Sequence, residues 1–230
     1  MEQSSRKHKR EIIVGLIQEN LLIPTQFVQS VFLQPPPKSW LATTGQDIIL
    51  MPGHNATERI RGLRPLGQHL VDHNFRVHHV TGVGRNLKPT FTLAKIYKRY
   101  ILKHNLTNIV LLAHSKGGLI AKVLLDDPEI QKRIDKAICI CTPYGGTPLA
   151  VLRFGSAAEL LPGSKLLEQL LAPVLNNHKI YNFYPLADNM IPIRESMILE
   201  GAQNKLIQVV GHNRILLSKQ LWREIDKILD

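Results

Sequence analysis

The sequence predicts an α/β domain in which a mainly parallel sheet is covered by helices on both faces. Short apolar runs of strand length alternate along the chain with longer segments of helical periodicity. Such alternation is typical of parallel sheets. Polar residues directly follow several of the apolar runs, and the carboxyl ends of parallel strands are where ligands bind. At 230 residues the chain is long enough for one domain with a full core.

Composition favours an ordinary globular protein, with 44% hydrophobic and 20% charged residues. The formal net charge is +11, but the basic residues are scattered apart from the run 6–10, RKHKR. No nucleic-acid motif accompanies them, so no nucleic-acid partner is expected. Cys139 and Cys141 share one face of a predicted strand and are expected to be buried thiols. We expect neither a metal nor a cofactor. We expect a cytoplasmic location, with or without membrane association.

Residues 1–38 are interpreted as a basic helical arm, and residues 39–230 as the domain. Ile13, Leu16, Ile17 and Leu21 share a helical face, and a second apolar segment, 27–33, precedes the break at 35–37, PPP. The arm is too polar in its middle to span a bilayer. It is either a peripheral anchor on a membrane surface or an arm packed on the domain or on a partner chain. We favour the packed arm.

The domain begins with a buried strand over 47–51, followed by the loop Pro52-Gly53-His54. A helix over 59–73, a short strand over 75–80 and a helix over 90–104 come next. The glycines at 82 and 84 do not make a dinucleotide-binding motif, because no third glycine and no helix start follow.

The central stretch is 109–121, IVLLAHSKGGLIA, which predicts a buried strand, a sharp turn and a helix. Ser115 lies at the apex, where the turn requires small residues two positions before and two positions after the serine. Ala113 and Gly117 meet that requirement. The pattern is the nucleophile elbow G-x-S-x-G with Ala113 in place of the first glycine.

Three further strands are predicted over 134–141, 179–184 and 205–210, and a closing helix over 215–229. The leucine-rich segment 149–178 is the only insertion large enough to form a lid. It reads equally well as an apolar cap over an acyl-chain pocket or as ordinary helices that connect two strands.

Four candidate groups follow predicted strand ends: Pro52-Gly53-His54, Ser115, Asp188 and His212. A serine hydroxyl needs a base, which a histidine supplies, and a carboxylate orients that histidine. We predict Ser115 as nucleophile, Asp188 as acid and His212 as base, in the order typical of this elbow. The backbone N–H groups of His54 and Lys116 are the predicted oxyanion donors.

Taken together, these residues resemble the lipase and esterase group of the α/β-hydrolases, close to small bacterial lipases and PGAP1-like lipases. The stretches 52–54 (PGH), 113–118 (AHSKGG), 142–150 (TPYGGTPLA) and 211–212 (GH) carry the resemblance, which covers about residues 45–230. It implies the α/β-hydrolase fold and hydrolysis of a carboxylic ester through an acyl-enzyme. The implied substrate is a small-molecule ester or a lipid. One alternative is acyl transfer or thioester hydrolysis with the same residues. Another is a non-catalytic scaffold that binds a membrane or a partner.

Overall fold

The computed structural model describes residues 12–19, 35–56, 62–152, 155–172 and 175–230. The basic run 6–10, the apolar segment 27–33 and the predicted helix start at Arg59 lie outside these residues. No helix of the described residues is long and apolar enough to cross a membrane.

Six parallel strands form one sheet in the order β2-β1-β3-β4-β5-β6, so the predicted fold class is confirmed. The strands are β1 (Asp47–Met51), β2 (Arg76–His79), β3 (Ile109–His114), β4 (Ile134–Ile140), β5 (Ile180–Ala187) and β6 (Gln203–Val210). The helices are α1 (12–19), α2 (Arg64–Asp72), α3 (Thr90–Lys103), α4 (Lys116–Leu125), α5 (Lys165–Leu171) and α6 (Lys219–Leu229).

The sheet separates two apolar cores because alternate side chains of each strand point to opposite faces. One core joins β1, β3 and β4 to α3 and α4, for example through Leu111, Tyr97 and Leu119. The other joins the opposite face to α2 and α6, for example through Leu70 and Leu221. Both faces of β1 and β3 are therefore buried, which explains their continuous apolar runs.

The strand order places a topological switch point between β1 and β3. The chain leaves β1 toward one edge of the sheet, forms β2, and returns to form β3 on the other side of β1. Ligand sites of open parallel sheets lie at such points, beyond the carboxyl ends of the strands. The predicted site residues after β1 and β3 lie there.

Two helices begin later than the sequence patterns predict. Helix α2 begins at Arg64, since Pro65 lacks the backbone N–H that a helix interior needs and fits only in the first turn. The closing helix is divided into a 3-10 helix over Arg214–Leu217 and α6, which begins at Lys219. Ser218 caps α6, since its side chain accepts a hydrogen bond from Leu221 N.

The two cysteines are buried and free, but the prediction that they share a face is wrong. Cys139 packs in the core beneath α3 and α4, whereas Cys141 packs in the opposite core. The alternation ends because β4 stops at Ile140 and Cys141 adopts a φ of 52°.

The segment 149–178, for which a lid and a crossover are both open interpretations, is largely packed in its described residues. It contains a 3-10 helix, Ser156–Leu160, and α5, and it buries Leu160, Leu166 and Leu170 in the core. Its first turn differs, because the Leu152 side chain is 76% exposed. The crossover interpretation fits the packed part, and the exposed turn is the part that a lid interpretation would need.

Helix α1 is the described part of the predicted arm, and it lies against the loop that follows β6. Gly15 approaches Val210 so closely that an added Cβ would lie 2.5 Å from the Val210 Cβ. Glu19 is fully buried on the same side of the helix. Ile13 and Ile17 point outward and are more than half exposed.

The closest approach of helix and sheet supplies a test of the elbow geometry. A Cβ on Gly117 would lie 2.1 Å from the Met51 carbonyl oxygen, which belongs to β1 and cannot rotate away. Gly117→Ala is expected to lower the free energy of unfolding by about 2 kcal/mol or more, measured by urea denaturation. Gly62→Ala is the control, because its Cβ would meet only the flexible Leu216 Cδ1 at 3.1 Å. Equal losses in the two variants would contradict the prediction.

Candidate active site

Ser115 occupies the turn between β3 and α4 with a φ of 54° and a ψ of −125°, a conformation that non-glycine residues rarely adopt. The turn is held by the end of β4 and the residues that follow it. Ser115 N donates to Ile140 O at 2.8 Å, and a Cβ on Gly118 would lie 1.9 Å from the Thr142 Oγ1. This strained strand–turn–helix has the geometry of a nucleophile elbow, as the sequence predicts.

Asp188 and His212 form a buried pair. The His212 Nδ1–H donates to Asp188 Oδ2 at 2.7 Å, while Oδ1 accepts the backbone N–H groups of Met190 at 2.7 Å and Ile191 at 2.8 Å. Burial alone would raise the pKa of Asp188, but the charge and hydrogen bond of His212 and the two amides hold that pKa below its usual value. Asp188 is therefore ionised and only accepts, so the proton of the hydrogen bond is on the Nδ1 of His212.

His212 is also fixed through its backbone. Its N–H donates to Asn189 Oδ1 at 3.2 Å, and its carbonyl accepts the Nε2–H of His114 at 3.0 Å. Burial, reinforced by the charge of His212, lowers the pKa of His114 to about 3. His114 is thus neutral at neutral pH and supports the His212 loop.

Ser115 and His212 line one cavity of about 250 Å³, together with His54 from the loop after β1. The imidazole of His114 lies beneath them, with its ring centroid 4.7 Å from that of His212. The remaining wall is mainly apolar and includes Leu63, Pro143, Leu160, Met190 and Ile191. The structure therefore brings Ser115, His212 and His54 to one cavity and places Asp188 behind the imidazole.

The loop after β1 is oriented by Asn86. The Asn86 Nδ2 donates to Pro52 O at 2.5 Å and to Gly53 O at 3.3 Å. In a trans peptide the N–H points opposite to the C=O, so the His54 N–H points away from Asn86. Lys116 is the first residue of α4, where a backbone N–H has no acceptor within the helix. Both predicted oxyanion donors thus belong to segments of fixed orientation.

The Lys116 side chain turns away from the cavity and is fully buried. Its Nζ donates to Asn86 O at 3.2 Å, to Lys88 O at 2.6 Å and to Ser156 Oγ at 2.5 Å. Burial lowers its pKa to about 8, although the carboxylate of Glu159 at 3.9 Å opposes that shift. The ammonium therefore ties the elbow to the loop after β2 and to the crossover segment.

Sequence reasoning missed two residues that support this site, Asn86 and Glu19. Asn86 follows Gly82 and Gly84 just beyond the end of β2, at the same sheet edge as the other candidates, and that position was the available signal. Glu19 contacts the loop after β6 across more than 190 residues of sequence, and no local pattern indicates that contact.

One trio of metal-binding side chains occurs in the described part of the chain: His114, Cys141 and His212 have donor atoms within 4.8 Å of one another. Burial raises the pKa of the Cys141 thiol well above its usual value, and the charge of Asp188 and a hydrogen bond to it add to the shift. A protonated thiol is a poor metal ligand. Since both imidazoles are also hydrogen-bonded, we assign no metal to this trio.

Fold and site define the class of protein: the chain has the α/β-hydrolase fold, with a serine elbow at its switch point and a buried Asp–His pair in the loops after β5 and β6. Residues 44–158, half of the chain, match the model of the PGAP1-like alpha/beta domain. The chain belongs to that family. The match covers Ser115 but ends before Asp188 and His212, so the pairing of those two residues rests on their geometry.

Solved structures share this fold at low identity. Lipase B of Aspergillus fumigatus superposes with a TM-score of 0.64 at 16% identity, over 82% of this chain and 54% of that one. A mature Bacillus licheniformis lipase superposes with a TM-score of 0.60 at 15% identity, over 85% of this chain and 94% of that one. An esterase from Exiguobacterium antarcticum superposes with a TM-score of 0.58 at 15% identity, over 81% of this chain and 92% of that one. The chain thus spans about half of the Aspergillus lipase. Curated protein sequences give no significant match.

The orienting role of Asn86 is testable by replacing its donor with an acceptor. Asn86→Asp should slow the reaction of Ser115 with a fluorophosphonate about tenfold, since a carboxylate repels the carbonyls of Pro52 and Gly53. Asn105→Asp is the matched control, because Asn105 has a similar φ of 47° but lies in an exposed turn. Equal labelling rates in both variants and the natural protein would contradict the role.

Proposed function

We propose that the protein is a serine hydrolase that cleaves a carboxylic ester through an acyl-enzyme, with Ser115 as nucleophile, His212 as base and Asp188 as acid. The observation that carries the proposal is the buried 2.7 Å hydrogen bond between Asp188 and His212, whose imidazole lines the same cavity as the strained Ser115. Membership of the PGAP1-like family and the lipase and esterase folds support it.

Acylation would proceed as follows. Ser115 Oγ forms a bond to the ester carbonyl carbon while His212 Nε2 takes the hydroxyl proton. The N–H groups of His54 and Lys116 stabilise the negative charge on the carbonyl oxygen. When the intermediate collapses, the bond to the alcohol oxygen breaks, and that oxygen takes the proton from His212. Asp188 stabilises the imidazolium throughout.

Water then releases the acyl group. His212 Nε2 takes a proton from water as its oxygen bonds to the acyl carbon, and the bond to Ser115 breaks with return of the proton to the Oγ. The products are a carboxylic acid and an alcohol. An acyltransferase would admit an alcohol in place of this water, and a thioesterase would release a thiol, with the same three residues.

An apolar acyl chain suits the surroundings of the site. The 250 Å³ cavity is walled mainly by apolar side chains, and a wider groove of about 620 Å³ adjoins it through His54, Asn55 and Met190. The groove is lined further by Leu87, Leu149 and Leu152, with Arg85 at its edge. We therefore propose a lipid or other acyl ester as the substrate class.

Removal of the nucleophile separates this function from a non-catalytic scaffold. Ser115→Ala should retain the unfolding temperature and lose p-nitrophenyl ester turnover by about 10⁴-fold or more, together with fluorophosphonate labelling. His212→Ala should lose turnover similarly. Ser39→Ala, at an exposed serine, is the control and should behave as the natural protein. Turnover retained by Ser115→Ala would refute the nucleophile, and absence of labelling in the natural protein would favour the scaffold.

We also propose that α1 contacts an anionic membrane surface. The helix turns Gly15 and Glu19 toward the domain and leaves Ile13, Val14 and Ile17 exposed. The basic run 6–10 directly precedes it in the sequence. An exposed apolar face beside clustered positive charge suits peripheral binding to anionic lipid.

Sedimentation with vesicles that contain phosphatidylserine tests this contact. The variant Ile13→Ser with Ile17→Ser should bind such vesicles about tenfold more weakly, because two side chains no longer enter the interface. The control, Ile193→Ser with Ile198→Ser, removes two comparably exposed isoleucines elsewhere and should bind normally. Equal partitioning of both variants would end the proposal.

A further inference from the structure

The loop that carries His212 is contacted by a carboxylate from the opposite end of the chain. Glu19, at the end of α1, is fully buried. Its Oε1 accepts the backbone N–H of Asn213 at 2.8 Å and the Asn213 Nδ2–H at 2.7 Å. Its Oε2 accepts the backbone N–H of Arg214 at 3.0 Å. The carboxylate thus satisfies the two amides that directly follow His212.

The helix and the loop fit each other closely. Gly211 has a φ of 116°, and a Cβ there would lie 2.5 Å from Glu19 Oε2. The guanidinium of Arg214 donates in return, from Nη1 to Gly15 O at 3.2 Å and to Val210 O at 3.3 Å. Contacts therefore run in both directions between α1 and the loop, and they leave room for no side chain at position 211.

Glu19 completes the backbone hydrogen bonding of this loop. The Gly211 N–H donates to Ala187 O at 2.8 Å, and the His212 N–H donates to Asn189 Oδ1. The next two N–H groups in sequence, those of Asn213 and Arg214, donate to Glu19. Buried amides need acceptors. Without Glu19, the N–H groups of Gly211 and His212 would keep their acceptors, whereas those of Asn213 and Arg214 would lose theirs.

We propose that Glu19 is a positioning residue for His212, so that the arm belongs to the catalytic apparatus although it lies outside the cavity. This inference rests on the proposed function, in which His212 is the base. A base must lie within hydrogen-bond reach of the hydroxyl that it deprotonates, and displacement by about 1 Å can slow a reaction about 10²-fold. The arm holds the loop, and the loop holds the imidazole.

The contacts require two accepting oxygens on one planar group. A glutamine keeps the shape and one acceptor, but its NH₂ would oppose either the Arg214 N–H or the two donors of Asn213. An alanine removes all three hydrogen bonds. The two substitutions should therefore be graded in effect, with Glu19→Gln the milder.

Steady-state kinetics with a p-nitrophenyl ester tests the role. Glu19→Ala should lower kcat about 100-fold and Glu19→Gln about tenfold, with KM changed by less than about twofold, because position 19 itself does not line the cavity. Fluorophosphonate labelling of Ser115 should slow in the same order. Leu16→Ala is the matched control: it removes a half-buried side chain from the same helix but none of the three hydrogen bonds of Glu19, and its kcat should stay within about twofold of normal.

Proton NMR reads the same effect without turnover. The downfield Nδ1–H resonance of His212, assigned by its loss in His212→Ala, should broaden or vanish in Glu19→Ala and persist in Leu16→Ala. If both Glu19 variants keep a normal kcat and resonance, or if Leu16→Ala lowers kcat as much as they do, the positioning role is overturned. Failure of the proposed function would differ: Ser115→Ala would keep its turnover while the Glu19 effects on the resonance remained.

Discussion

The close approach of α4 to β1 is the constraint on which the rest of the site depends. Because Gly117 lies against the Met51 carbonyl, the helix can begin only from a turn as sharp as that at Ser115. A positive φ at a serine costs about 1–3 kcal/mol, and the packing of both faces of the sheet must outweigh it. The same approach sets the start of α4 beside the loop after β1. The proposed nucleophile and both proposed oxyanion donors are thus placed by one rigid contact between helix and sheet.

The proposed base is held in a different way. His212 lies in a loop after β6 and is not part of the contact between α4 and β1, and its position depends on hydrogen bonds from separate parts of the chain. Asp188 orients its ring, His114 binds its carbonyl, and Glu19 binds the amides that follow. A loop of this kind is only as ordered as its acceptors allow, since each buried amide without a partner costs about 1–3 kcal/mol. The position of Ser115 therefore depends on packing, and the position of His212 depends on polar contacts.

This difference explains what the sequence could predict. The strands and the Ser115 elbow are local patterns of apolar periodicity and small residues, so they can be recognised without coordinates. Asp188 and His212 could be proposed because parallel strands end at one edge, which brings distant residues together by topology alone. The partners of the loop follow no such rule: Glu19 and Asn86 are single polar residues whose contacts appear only after folding. Local details also failed, because Cys141 leaves the alternation of β4 through one positive φ that no residue type required.

Lys116 shows how closely the two kinds of support are joined. Its backbone N–H is one of the two proposed oxyanion donors, while its side chain reaches Asn86 and Ser156. Burial of an ammonium is unfavourable, as the lowered pKa of about 8 indicates, and it is tolerated because three oxygens accept its protons. Asn86 in turn orients the loop that carries His54. The two proposed donors of the oxyanion site are therefore linked through one buried cation and one amide, and the crossover segment at Ser156 is fixed by the same cation. Any displacement of the crossover segment would therefore also shift the two proposed oxyanion donors.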